Sequence, residues 1–334
     1  MRFPFRLRNS TIQRAASLCL FLSTIANSAA HGADELFASN ATPKLLWNDG
    51  EFTEGVSVRS DGLVFFSDIP QDPKTHGRIL VFDPATGKTR VFCADSSKSN
   101  GLAFDSGDRL LACCGANGGL RALCEVTEDG LVRGVSEWFE KKPFNAPNDL
   151  AIHPDGSVYF SDPRYVGFES LALPGQWVFR FDPRTGVTMV ATKDVSKPNG
   201  VGISPDGKTV YIACTDNGSV GLPDKPAGPK AKMSLEAFDV TNDGSLKHKK
   251  TLVDFGGEDG IDGMEIDAHG RIFAALRSAN RFGIAVYSPT GEELAFMKTP
   301  TLPTNCSFGV GNDSTTLYIT AGGELYCTKV KAAN

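Results

Sequence analysis

Beyond residue 44 the chain reads as short apolar stretches with a period of two, broken every few residues by glycine, proline, asparagine or aspartate. Such alternation between turn residues marks β-strands. Stretches such as NDLAI and NGVGI lead into a turn and then into a second apolar stretch, as in LVFFSD, SVYFSD and TVYIAC. Three of the turns are Asp-Gly: Asp61-Gly62, Asp155-Gly156 and Asp206-Gly207. Asp-Gly between alternating stretches predicts a hairpin, because glycine supplies the positive φ that the turn needs. Further strands follow, RILVFDPATG, WVFRFDPRTG, LEAFDVTNDG and IAVYSPTG, each ending in its own turn. Helical periodicity is absent outside the first thirty residues.

The pattern recurs six times, over Glu54 to Asp68, Asn100 to Cys114, Asn148 to Asp162, Asn199 to Cys214, Asp262 to Ala275 and Cys306 to Ala321. The starts are separated by 46, 48, 51, 63 and 44 residues. A period of about 40–50 residues with four strands per unit indicates propeller blades. The expected fold is therefore all-β: a six-bladed β-propeller of four-stranded antiparallel blades around a central channel, spanning residues 45–334. The stretch PKLLWND supplies the strand that completes the last blade and closes the ring. Gly218 to Lys232, rich in proline, glycine and lysine, accounts for the longest step and reads as a surface loop.

Composition changes the picture at the N-terminus. Arg2, Arg6, Arg8 and Arg14 precede the apolar run Ala15 to Ala26 and the small residues Ser28-Ala29-Ala30. That order predicts a secretory signal peptide over residues 1–30, then a short segment over 31–44. The apolar run is about 12 residues, too short to span a bilayer. An exported protein, periplasmic or secreted, is expected, with no membrane association after cleavage. Export permits disulfides, yet the remaining seven cysteines are an odd number, so at least one thiol is left over. With 34 basic residues dispersed and a net charge of −5, nucleic-acid binding is not expected.

Candidate chemistry comes from aligning the six units on their turns. The first position then holds Glu54, Asn100, Asn148, Asn199, Asp262 and Cys306. The first strand of each blade lines the channel, so these residues converge near one level of the axis. Two carboxylates and several amides brought together there need a partner. A ring of oxygen donors suits one divalent cation; calcium is expected, with magnesium, manganese or zinc as alternatives. Asp149, beside Asn148, is expected to point away from the axis, holding a second cation or capping a turn. No G-x-S-x-G occurs, and none of the five histidines has a triad setting.

The stretches FTEGVSVRSDGLVFFSD, APNDLAIHPDGSVYFSDPRY, KPNGVGISPDGKTVYIA, DGMEIDAHGRIF and TNCSFGV resemble motifs of the SMP-30/gluconolactonase/luciferin-regenerating-enzyme-like family. The resemblance implies a six-bladed propeller and a metal held by Glu54, Asn199 and Asp262, with Asn148 as a fourth ligand or a substrate contact. It also implies hydrolysis of a lactone or related ester, with Asp262 as acid/base. A sugar lactone is the expected substrate, with Asn100 and Asn148 holding its ring or hydroxyls. The alternatives are an aryl esterase or phosphotriesterase of paraoxonase type, and a non-catalytic carbohydrate- or protein-binding propeller with a structural cation. Val56 and Ile261 stand where the family usually has proline, Cys114 where its gluconolactonases often have an acid, and Leu120-Arg121 where they have an arginine pair. These departures bear on specificity.

Overall fold

The computed structural model describes residues 36–38, 41–222 and 224–331, so residues 1–30, where a signal peptide is expected, lie outside it. Six four-stranded antiparallel sheets form the blades. Their innermost strands are Thr53–Val58, Ser99–Phe104, Leu150–Ile152, Pro198–Ile203, Ile261–Ile266 and Pro303–Phe308. Lys44–Trp47 is the outermost strand of the sixth blade, antiparallel to Glu324–Lys329, so the ring closes as the sequence predicts. Upstream of it, Phe37 bridges to Val330 and packs with Leu36 against blades five and six.

Each blade is buried on both faces by its neighbours. The second strands are therefore apolar without a polar face, as in Leu110–Cys114 (LLACC), which is buried throughout. The core is correspondingly divided into six clusters, one per junction between blades. In the junction of blades two and three, Phe144, Phe160 and Phe179 pack with centroids 5.0–5.5 Å apart. Burying each such ring contributes about 2–3 kcal/mol. The seven cysteines of residues 93–327 are free thiols, six of them buried, and serve as small apolar side chains here.

The three Asp-Gly turns form as expected. Gly62, Gly156 and Gly207 have φ of 88°, 86° and 71°. Their aspartates accept the backbone N–H two residues on, at Leu63, Ser157 and Lys208.

The sixth unit departs from the sequence alignment. Leu102, Leu150, Val201 and Met264, each two residues past its blade's first ring position, pair with Ala112, Phe160, Ile212 and Ala274. The matching pair in blade six is Cys306 with Ile319, so the residue equivalent to Glu54 is Thr304, not Cys306. The cause is hairpin length: residues 59–63 and 204–208 connect the strands in blades one and four, whereas 309–315, with a 3-10 turn at Gly311–Asp313, is two residues longer. Cys306 is buried instead, its thiol donating to the Phe273 carbonyl at 3.4 Å.

Candidate metal centre and substrate cavity

A cavity of about 370 Å³ opens at one end of the channel. Glu54, Asn100, Asn148, Asn199 and Asp262 all line it, so the structure brings together every residue singled out for the site. Blade six adds nothing there. The Thr304 hydroxyl donates to the Thr53 carbonyl at 2.8 Å and is satisfied within the wall.

A bulge repeats at this level. The ladder register shifts between Glu54 and Ser57, Ser99 and Leu102, Pro198 and Val201, and Ile261 and Met264. Bulges interrupt strict alternation and re-aim side chains. In blade three the Ser161 carbonyl accepts from the Asn148 N–H while the Ser161 N–H donates to the Asp149 carbonyl, both at 3.0 Å, so alternation is interrupted there too and Asp149 is turned into the channel, not away from it. Its Oδ2 accepts the Val201 N–H at 3.1 Å, and with Asn305 it lines a second cavity of about 270 Å³ on the far side of the ring. The glycines make this fit: a Cβ on Gly101 would lie 2.5 Å from Asp149 Oδ1, and one on Gly263 2.2 Å from Asn305.

Two aspartates set the inner strands in place. Asp68 accepts the N–H groups of Glu51 (2.9 Å) and Phe52 (3.2 Å), just ahead of Glu54. Asp162 does the same for Asn145 (2.9 Å) and Ala146 (2.7 Å), just ahead of Asn148. Lys98 and Lys197, each two residues before a ring amide, fasten the loops above. Lys98 Nζ donates to the carbonyls of Pro70 (2.7 Å) and Asp72 (2.8 Å). Lys197 Nζ donates to Asn217 Oδ1 (2.6 Å) and the Ser219 carbonyl, and lies 4.0 Å from the Tyr165 ring centroid. Part of the 218–232 insertion thus braces the cavity wall while 224–232 lies exposed.

Electrostatics single out the two carboxylates. Burial, reinforced by Asp262 and Asp149, pushes Glu54 well above the usual carboxylate range. Burial raises Asp262 as well, opposed by Arg277 and Asn199. Asn199 Nδ2 donates to Asp262 Oδ1 at 2.6 Å, and Arg277 donates to Asp262 Oδ2 at 3.0 Å and to the Pro303 carbonyl at 3.1 Å. Arg277 is the functional candidate that the sequence reading missed; its only signal is a single cation closing the apolar stretch IFAALRS. Among the described residues no group of three or more His, Cys, Asp or Glu side chains could hold a metal. The ring instead pairs two carboxylates with three amides, and all five offer oxygen. Two buried carboxylates held near each other at a cost fit a hard cation, which would relieve both.

A six-bladed propeller with acids and amides converging at one mouth of its channel defines the class. Residues 52–323 match the SMP-30/Gluconolactonase/LRE-like region, and the chain belongs to that family. It is 28% identical over 313 residues to a gluconolactonase of Zymomonas mobilis, covering 87% of this chain and 82% of the relative. It is 29% identical over 216 residues to a lactonohydrolase of Aspergillus oryzae, covering 61% of this chain and 42% of that longer protein. A solved structure described as a putative gluconolactonase superposes with a TM-score of 0.73 at 26% identity, covering 89% and 94% of the two chains. The protein is thus a lactonase-like propeller.

Proposed function

We propose that the protein is a metal-dependent lactonase that holds one divalent cation, calcium by preference, with Glu54, Asn148, Asn199 and Asp262, and opens a sugar lactone. The observation that carries this reading is the burial of Glu54 and Asp262 in one cavity with three asparagines, each carboxyl raised by desolvation. The similarity to gluconolactonases and lactonohydrolases supports the substrate class. A cation there supplies Lewis-acid polarisation of the lactone carbonyl. The chain's own residues do the rest. Asn100 and Asn148 hold the ring and its hydroxyls by hydrogen bonds. Asp262 accepts the proton of the attacking water, its carboxylate kept in place by Asn199 and Arg277. Residues 1–30 support export as the setting.

The test is hydrolysis of glucono-1,5-lactone by purified mature protein, followed by acid release with spontaneous opening subtracted. Activity should vanish with EDTA and return with one of Ca²⁺, Mg²⁺, Mn²⁺ or Zn²⁺. A folded protein inactive with all four would shift the reading to aryl esters and phosphotriesters, or to a binding propeller.

Arg277 gives a second test. Its guanidinium shares the Asp262 carboxylate that the cation would use. Arg277→Gln removes a like charge from the cation's neighbourhood, worth about 1–2 kcal/mol at a partly solvated site. Calcium should bind roughly tenfold more tightly by calorimetry. Weaker binding would mean that the hold of Arg277 on Asp262 outweighs its repulsion of the cation.

A further inference from the structure

The cavity has two unlike sides. Blades four and five line it with Asn199, Thr215, Asn217, Asp259, Asp262 and Arg277, and contribute no apolar side chain. Every apolar residue in the lining comes from blades one to three, chiefly Phe52, Ile69, Pro70, Pro147, Tyr165 and Val166. Several polar groups on that side are engaged by the protein itself. Lys98 is committed to the carbonyls of Pro70 and Asp72, and the Asn117 amide donates to the Gln71 carbonyl at 3.1 Å. Beside Glu54 and the exposed Gln71 side chain, what remains there is an apolar wall rising from a floor of Asn100 and Asn148.

At the edge of this wall Val166, which lines the cavity, is 54% exposed, and Phe168, two residues on and outside the lining, is 58% exposed. They ride on a segment that is tied down on both sides. Glu169 accepts the N–H groups of Asn117 (3.1 Å) and Gly118 (2.8 Å). It also pairs at 3.2 Å with Arg164, which is wholly buried and donates to the Asn145 carbonyl at 3.0 Å. On the far side, a Cβ on Gly221 would lie 2.4 Å from the Val166 backbone, so the 218–222 stretch packs closely behind. Apolar side chains held in water at the lip of a cavity mark a surface that a ligand covers. A cavity of about 370 Å³ lies in the range that encloses drug-sized ligands, beyond the needs of a single sugar ring.

We infer that the preferred substrate is a lactone ring bearing an apolar substituent, alkyl or aryl, and not a bare polyhydroxylated ring. The inference rests on the lactonase reading and revises its substrate, setting a substituted lactone above the bare sugar lactone. The ring and its hydroxyls meet the floor and the polar side on blades four and five. The substituent lies along Ile69, Pro70, Tyr165 and Val166 and reaches Phe168. Adding methylenes to the substituent therefore adds binding energy until the rim is passed.

The experiment compares kcat/KM for glucono-1,5-lactone, δ-valerolactone and δ-decalactone, the last carrying a pentyl chain. It is paired with calorimetry on the matching unhydrolysable lactams, piperidinone and its pentyl derivative. The pentyl compound should be favoured at least about tenfold in both assays, since each buried methylene is worth about 0.8 kcal/mol and only part of the chain is covered. Val166→Ser and Phe168→Ser, both at exposed positions, should each cut that preference roughly threefold. Equal binding of the two lactams, or glucono-1,5-lactone as the best substrate with no gain from the pentyl chain, overturns the inference. If the pentyl lactam binds more tightly while no lactone opens, the lactonase reading fails and the amphipathic site stands.

Discussion

Asp262→Asn should abolish lactone opening, lowering kcat/KM by about a thousandfold or more, while the metal-free protein melts no lower than wild type. The two halves of this result have separate causes. Asp262 is the one ring residue proposed both to hold the cation and to take the proton from water, and loss of a general base alone costs about 10²–10⁴ in rate. The neutral amide also removes one of the two charges that attract the cation, so calcium affinity should fall with activity. In the metal-free fold the same change relieves a repulsion, because after burial itself Asp262 is the charge that pushes Glu54 up most. The amide oxygen can still accept from Arg277, and its NH2 can donate to Asn199 once that side chain flips to present Oδ1, so no buried group need be orphaned. Activity and calcium affinity by calorimetry, with thermal melts in EDTA, check all three. Full activity with the cation retained would remove Asp262 from the chemistry.

The architecture was legible because a propeller repeats its pattern. Six hairpins of one design, three of them with Asp-Gly turns, announced the blades, and PKLLWND announced the closure of the ring. The ring residues could be found because the same repeat places them at one level. Register was lost where the repeat changes length: the longer hairpin of blade six displaced the alignment by two residues and put Cys306 where Thr304 belongs. Asp149 was misplaced for a different reason. Strict alternation turns neighbouring side chains to opposite faces, but the ladder is interrupted at Asn148 and Asp149 opposite Ser161, as at the mouths of blades two and four. Arg277, Lys98, Lys197 and the rim around Glu169 act across blades or between loops, and no local pattern encodes such contacts. The two clamping aspartates, Asp68 and Asp162, lay within quoted motifs, yet their role depends on amides 16 or 17 residues upstream.

The metal-free protein should also lose stability as pH rises from 5 to 8, against the common expectation of a broad neutral optimum. Burial pushes Asp162 up to about 7, despite hydrogen bonds from Asn145 and Ala146. Burial likewise pushes Glu265 up to about 7, despite a hydrogen bond from Ser307. Their ordinary values are 3.8 and 4.5. Between those values and 7 the folded chain keeps protons that the unfolded chain has released. Stability therefore falls with rising pH, by an amount on the order of 5 kcal/mol for the two groups together between pH 5 and 8. Groups shifted the other way act elsewhere. Burial raises Glu236, but its bonds to Lys232, Ser234, His248 and Thr251 prevail and hold it at about 2, so its contribution is lost only below pH 4.5. The optimum in EDTA should accordingly sit near pH 5. Urea melts at half-unit intervals would locate it, and Asp162→Asn with Glu265→Gln should make the alkaline limb shallower, the remaining slope coming from Glu54, Asp262 and Asp149, which burial raises as well. A stability that climbs between pH 5 and 8 would mean that the amides and hydroxyls around these carboxylates outweigh their burial.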